Sequence, residues 1–246
     1  MNLIQRAGLA YQTVGRTFGE WLSPIATAGL FGLLRTGVAL GMALDTLLYP
    51  RLARTRVERP IIIVGNPRTG TTFLHRFLVQ NGVGTGFELL GMLYPSIAAR
   101  RLLRPFGPLL ERVSPARHHS SAAHKTSLSS VETDDVSLLF RYFDGFFLFG
   151  FVLAWAEQDY QRLFDPGVRD TADRDFAWLD AIWRRNLVHH GGRRVLAKLF
   201  SLGPRTPAFL NRYPDARILY MVRDPLSVIP SAMSLVTGVL DQRFGF

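Results

Sequence analysis

The sequence contains no cysteine, which excludes disulfide bonds and thiolate metal sites. It is also poor in acidic residues, because 19 Asp and Glu stand against 29 Lys and Arg, for a net charge of +10. This excess of positive charge suits a polyanionic ligand or an anionic membrane surface, and equally a solvated basic surface. With 48% hydrophobic and 20% charged residues, the 246-residue chain is expected to form a globular domain with a real core.

Long hydrophobic runs are also scarce near the N-terminus. In residues 1–50 the longest stretch without an ionisable side chain is Trp21 to Leu34, 14 residues, whereas a spanning helix needs ~20. No signal-peptide layout is expected, because the apolar region starts late and has no clear cleavage motif. We predict one or two helices over about 25–49 that pack on the domain or lie in a membrane interface, with packing slightly favoured.

The expected location is cytoplasmic, with peripheral membrane contact through residues 1–50 as a further expectation.

A strand, a glycine-bounded loop and a helix follow one another in residues 59–78. The branched apolar run from Ile61 to Val64 is typical of a strand buried on both faces. The loop extends from Gly65 to Gly70, and apolar residues at helical spacing come after it. Glycines let the backbone approach an anion, and free N–H groups at the start of a helix point at it. The stretch therefore predicts a phosphate-binding loop.

The loop lacks the lysine of the Walker motif, G-x-x-x-x-G-K-[ST]. Thr71 stands in its place, and the cation lies inside the loop at Arg68. The motif PRTGTT after a strand resembles the 5′-phosphosulfate-binding loop of sulfotransferases, enzymes whose donor is 3′-phosphoadenosine 5′-phosphosulfate (PAPS). That resemblance assigns donor binding to Arg68, Thr69, Gly70, Thr71 and Thr72. It also gives Arg68 a catalytic role, in which it stabilises the charge that builds up during transfer together with Thr71 and Lys198. The alternative is a tight strand-to-helix turn without a ligand, which would leave the arginine and threonines unexplained.

A second strand, predicted at 217–222, ends in the charged corner Arg223, Asp224 and Pro225. Asp224 is placed to cap a helix and Pro225 to occupy its first position, although a later proline should kink this helix. Sulfotransferases carry Arg-Asp-Pro or Arg-Asp-Gly here, with a serine eight residues after the arginine, which matches Ser231. In the family these two residues bind the 3′-phosphate of the nucleotide, by a guanidinium fork and a hydroxyl. Alternatively, Arg223 is the partner of Asp224 or of a neighbouring carboxylate.

Two residues are candidates for the catalytic base. Several sulfotransferase groups, including the tyrosylprotein enzymes, have a glutamate shortly after the loop helix that takes the acceptor's proton, and Glu88 fills this position. His124 is the alternative, because many bacterial relatives have a histidine ahead of an acidic stretch, here Glu132, Asp134 and Asp135. Glu88 could instead be an ordinary residue opening the next helix, favoured by the helix dipole. Metal binding is disfavoured, since direct transfer from PAPS in this family needs no metal.

Lys198 is the last candidate for the catalytic machinery. The family often has Leu-Lys-x-Pro at this place, where the lysine meets the transferring sulfuryl group, but here the proline is not adjacent. A lysine inside an apolar strand is costly unless it is paired, which favours a role. Further upstream, residues 136–155 are crowded with aromatic side chains. They are interpreted as core and also as an apolar wall for a hydrophobic acceptor.

The pattern of elements predicts an α/β fold: a P-loop-like three-layer α/β/α domain with a central parallel sheet, preceded by the apolar helical segment. The loops after parallel strands meet at one edge of a sheet, and Arg68, Lys198 and Arg223 all lie at such ends. The predicted strands are 61–64, 194–199 and 217–222, and the predicted later helices are about 173–190 and 205–212.

The sulfotransferase resemblance covers about residues 60–240. We expect residues 1–58 to form the N-terminal segment with a basic linker, and 59–246 to form the PAPS-binding domain. Relatives continue well past the position of Phe246, so a PAPS- or PAP-binding protein without turnover is the second hypothesis. A P-loop kinase is disfavoured by the missing Walker lysine and the lack of an acidic strand end, and a nucleic-acid binder by the absence of a recognisable module. The sequence does not identify the acceptor.

Overall fold

A computed structural model describes residues 1–113 and 127–244 of the protein. The described helices α1 to α11 are Leu3–Phe18, Ser23–Leu48, Arg51–Arg54, Thr71–Gln80, Leu89–Leu93, Ile97–Leu103, Gly107–Val113, Asp135–Tyr142, Ala172–His190, Thr206–Arg212 and Pro225–Phe244. The described strands β1 to β3 are Ile61–Gly65, Leu196–Lys198 and Arg217–Met221. Short helical turns of other types occupy Arg104–Phe106, Leu148–Val152, Leu153–Trp155, Gln161–Phe164 and Phe200–Arg205.

The three strands form one parallel sheet in the order β2-β1-β3. The phosphate-loop strand β1 is therefore central, and Ile63 pairs with Lys198 on one side and with Leu219 on the other. All three strands lie where the sequence predicted them, to within two residues at each end. Because the strands are parallel, the loops that follow them leave the same edge of the sheet.

Helices cover both faces of β1, as its unbroken run of branched residues predicted. Alternate strand residues point to opposite faces. Ile62 and Val64 belong to the main core, which also contains Trp183 of α9. On the other face, Ile63 packs with side chains of α4. These contacts confirm the three-layer α/β/α architecture.

The helix ends agree with the signals in the sequence. Asp224 caps α11, because the backbone N–H of Leu226 donates to its Oδ1 at 3.1 Å, and α11 begins at Pro225. The helix continues past Pro230. Gly191 ends α9 in the left-handed conformation with φ 65°, as its place after the helix predicted.

The N-terminal helix α2 covers nearly the range that the sequence predicted, since it extends from Ser23 to Leu48. Its 26 residues are long and apolar enough to cross a membrane, although its longest run without an ionisable side chain is short. Arg35 and Asp45 lie inside the helix, and each has a partner elsewhere in the protein. The Nε of Arg35 donates to the carbonyl of Phe140 at 2.8 Å, and Asp45 accepts from the backbone of Ile97 at 2.8 Å. Both charges are thus directed at the protein, while most of the helix is exposed.

Candidate functional site

Two glycines determine the conformation of the loop between β1 and α4. Gly70 adopts φ +93° before the first residue of α4, a conformation that favours glycine. Gly65 lies so close to β3 that a Cβ there would be 2.7 Å from the carbonyl oxygen of Met221. Inside the loop, the Thr69 hydroxyl donates to the Asn66 carbonyl at 2.7 Å. The two glycines therefore have separate functions, one allowing close strand packing and the other starting the helix.

Arg68 links the phosphate loop to the second predicted motif. Its Nε donates to the hydroxyl of Ser231 on α11 at 2.9 Å. In return, the Nη1 of Arg223 donates to the carbonyl oxygen of Arg68 at 3.2 Å. The structure thus brings together three residues that the sequence separates by 155 and 163 positions. The guanidinium groups of Arg68 and Arg223 lie at the same edge of the sheet, as the parallel strands predicted.

Lys198 contacts the other end of the same loop. Its Nζ donates to the Thr72 hydroxyl in the first turn of α4 at 2.8 Å. The side chain is almost completely buried, and burial lowers its pKa to about 8, with Glu132 opposing the shift. The ammonium also lies 5.3 Å from the ring centre of Phe200. A buried cation of this kind has few water molecules to screen it, so it interacts strongly with a nearby anion.

The acidic stretch after His124 proves to be part of the scaffold of this site. Asp134 is fully buried, where it accepts from the backbone N–H of Lys198 at 3.1 Å and from the indole of Trp183 at 2.9 Å. Glu132 forms an ion pair with Arg76 of α4 at 2.7 Å. Burial raises the pKa of Asp134 to about 7. Sequence reasoning missed this function, although a carboxylate cluster beside apolar residues was a signal that it would be buried and bonded.

Aromatic side chains lie beside Lys198. The ring of Phe200 contacts that of Phe146 at 5.2 Å between centroids, and Phe146 is also in ring contact with Phe147 and Phe151. These rings are partly exposed, whereas Leu148 and Phe149 of the same stretch are buried in a second core cluster. The aromatic stretch thus contributes both to the core and to an apolar surface near the buried lysine.

Glu88 lies in a cleft of ≈ 570 Å³ that is also lined by two arginines, Arg101 and Arg104, and two histidines, His189 and His190. It precedes α5 without capping it through its side chain. Burial raises the pKa of Glu88, and Arg100 opposes that shift. Among the contacts that the structure describes, none joins Glu88 directly to the phosphate loop or to Lys198. The alternative base, His124, is outside the described residues.

Comparisons with known proteins agree with this geometry. A protein-family model described as "Sulfotransferase family" matches residues 60–244. The fold is similar to the crystal structure of sulfotransferase STF1 from Mycobacterium tuberculosis H37Rv, with a TM-score of 0.62 and 19% identity over 96% of this chain and 65% of that one. It is also similar to sulfotransferase STF9 from Mycobacterium avium, with a TM-score of 0.56 and 19% identity over 82% of this chain and 52% of that one.

The present chain therefore spans less than two thirds of the length of these two structures. No curated protein sequence matches it.

Proposed function

Because this chain belongs to the sulfotransferase family, we propose that it transfers a sulfuryl group from PAPS to a hydroxyl or amine of an acceptor. The observation that supports this most directly is the contact of Arg68 with both Ser231 and Arg223. Two guanidinium groups and a hydroxyl at one sheet edge are suited to an anion with two phosphate-bearing ends.

In the proposed complex, the loop N–H groups with Arg68, Thr69, Gly70 and Thr71 bind the 5′-phosphosulfate of the donor. Arg223 and Ser231 bind the 3′-phosphate, which distinguishes PAPS from ATP. The hydrogen bond from Arg68 to Ser231 supports this arrangement, because it places the two side chains side by side.

The chemical step needs a base, an in-line nucleophile and positive charge. Glu88, or alternatively His124, takes the acceptor's proton while the acceptor atom forms a bond to sulfur. The bond from sulfur to the 5′-phosphate oxygen breaks, and adenosine 3′,5′-bisphosphate (PAP) leaves. Lys198, held by Thr72, stabilises the negative charge that develops on the transferring group and the leaving oxygen. The partly exposed rings of Phe146 and Phe151 favour an acceptor with an apolar part.

Thermal shift with four nucleotides tests the donor. We expect PAP and PAPS to raise the unfolding temperature and ATP with Mg²⁺ to have little effect. The increase in unfolding temperature with PAP should be lost in Arg223→Ala. It should be kept in Arg217→Ala, a matched change at the opposite end of β3. Stabilisation by ATP with Mg²⁺ but not by PAP would contradict the proposal in favour of a kinase.

Turnover is a separate measurement. The assay measures release of PAP from PAPS in the presence of hydroxyl and amine acceptors that carry apolar groups. We expect this release to require Lys198 and to fall in Lys198→Met. Binding of PAP without any such release would instead indicate a binding protein without turnover.

A further inference from the structure

The outward face of α2, defined here by Leu30, Leu33, Leu40, Leu44 and Leu47, carries no charge. Leu33 and Leu47 are 75% and 78% exposed. In the 26 residues of the helix the only ionisable side chains are Arg35 and Asp45, and both are bonded to the protein on the opposite face. The most apolar part of this helix is almost entirely exposed. At 1.5 Å per residue the face from Leu30 to Leu47 is an apolar stripe about 26 Å long.

The stripe ends beside a group of exposed arginines, which we call the arginine rim: Arg51, Arg54, Arg101 and Arg104. Arg51 and Arg54 are in α3, which follows α2 directly. The Nη1 of Arg101 donates to the hydroxyl of Tyr49 at the end of α2, at 3.1 Å. Within residues 1–113 and 127–244, no carboxylate forms an ion pair with the arginine rim.

We propose that the outward face of α2 and the arginine rim together bind an anionic lipid surface, with α2 lying in the plane of the membrane interface. Apolar side chains would enter the acyl boundary, and the arginines would contact the lipid headgroups. The positive charge favours an anionic lipid surface over a second copy of the chain as the binding partner. A second copy would bring a further charge of +10 to the same surface.

The structure favours a helix lying in the interface over one that spans the bilayer. Asp45 is fully buried, and it accepts hydrogen bonds from the Ser96 hydroxyl, the backbone of Ile97 and Ala98, and Arg185. A spanning α2 would have to leave this network and place an unpaired carboxylate near hydrocarbon, which is costly. With the network intact, only the outward face is available to lipid.

Vesicle flotation of the full chain tests the proposal. We expect it to float with vesicles of phosphatidylcholine mixed with phosphatidylglycerol, to float much less with phosphatidylcholine alone, and to be released by high salt. Failure to float with the mixed vesicles would overturn the proposal, and equal flotation with both kinds would overturn the assignment to anionic lipid.

Two pairs of matched variants separate the apolar and the charged contributions. Leu33→Gln with Leu40→Gln should weaken binding about 10-fold or more, whereas Val168→Gln with Leu210→Gln, also exposed, should not. Arg51→Gln with Arg54→Gln should likewise weaken binding to mixed vesicles about 10-fold. Its control is Arg162→Gln with Arg212→Gln, which are exposed elsewhere. Loss of binding in the control pairs as well would overturn the assignment to this surface.

Light scattering of the same variants in solution tests a second copy as the occupant. A dimer of the unchanged chain that Leu33→Gln with Leu40→Gln converts to monomer would overturn the lipid proposal. Retained stabilisation by PAP in these variants shows that they are folded. If PAP stabilises none of the proteins, unchanged circular dichroism and unfolding temperature provide that control, so failure of the proposed function is distinguishable from failure of lipid binding.

Discussion

Individual residues of the phosphate loop are held in conformations that their neighbours enforce. Arg68 has φ +71°, which is uncommon for a residue with a side chain and costs of order 1 kcal/mol. Its carbonyl accepts from Arg223, and its side chain donates to Ser231. These two contacts explain how the conformation is maintained. Strained backbone of this kind is typical of ligand-binding loops, which agrees with the proposed donor site.

The protonation of Lys198 predicts a pH dependence. Burial lowers its pKa to about 8, so the ammonium is lost as pH rises through that value in the free protein. If the charge stabilises the transition state, kcat/KM should fall above about pH 8. Lys198→Met should reduce kcat by about 100-fold or more, because one preorganised electrostatic contact is removed.

Lys198→Arg provides the control for this pH profile. Its guanidinium remains charged, so whatever activity it retains should not fall near pH 8. A fall at the same pH in this variant would assign the pH dependence to another group.

The choice of base predicts different outcomes for two substitutions. Burial raises the pKa of Glu88. The change Glu88→Gln removes this carboxylate but keeps the shape of the side chain. It should lower the rate of sulfuryl transfer by about 100-fold, as expected for loss of a general base, and leave PAP binding unchanged. The measurement is PAP release at saturating PAPS, with His124→Ala assayed alongside. Full activity of Glu88→Gln together with an inactive His124→Ala would assign the base to the histidine.

Among the elements, the junction of β1 with β3 is where the proposed donor site is assembled. Val64 and Gly65 pair with Tyr220 and Met221, so the two strands place the phosphate loop beside the corner that contains Arg223. This register depends on the close approach at Gly65, where any side chain would meet β3.

Gly65→Ala should therefore affect both stability and binding. The added Cβ would lie 2.7 Å from the Met221 carbonyl oxygen, so the strands must separate. We expect a loss of stability of about 1–3 kcal/mol, typical of overpacking, and a larger relative loss of PAP affinity. Chemical denaturation and PAP titration measure the two effects. Gly203→Ala, where a Cβ would meet no atom within 4 Å, is the control. Unchanged PAP binding in Gly65→Ala would contradict the importance of this junction.

At the scale of the whole molecule, buried charged side chains join the N-terminal helices to the rest of the chain by hydrogen bonds. Asp45 of α2 joins the start of α6 and Arg185 of α9. Near the other end, Arg6 of α1 donates to the carbonyl of Phe143 at 2.8 Å. We propose that residues 59–246 form the sulfotransferase-like domain and that residues 1–58 unfold together with it.

Asp45→Asn tests whether the chain unfolds as one unit. The amide cannot replace a carboxylate that accepts from two backbone N–H groups, a hydroxyl and an arginine, so a loss of about 3–5 kcal/mol is expected. Calorimetry should show one transition at a lower temperature. Asp173→Asn, on an exposed part of α9, should have little effect. A separate early transition with the main one unmoved would show that the N-terminal helices unfold independently.

The sequence by itself determined the parts of the fold that depend on neighbouring residues. The branched run from Ile61 to Val64, the two glycines after it and the Asp-Pro signal at the start of α11 act over a few positions. Such signals specify strands, turns and helix ends directly. The parallel sheet, with its loops leaving one edge, then followed from the alternation of strands and helices.

Only the tertiary structure decided which side chains meet. Arg68 and Ser231 are 163 positions apart, and Lys198 and Thr72 are 126 apart, so their bonds depend on packing across the whole sheet. Asp134 also depends on tertiary packing, because it accepts a hydrogen bond from the backbone N–H of Lys198 at the end of β2. Arg35 and Asp45 of α2 likewise find partners more than 50 residues away, which the sequence could not indicate. A charge inside an apolar helix can be buried when a distant part of the chain supplies its hydrogen bonds.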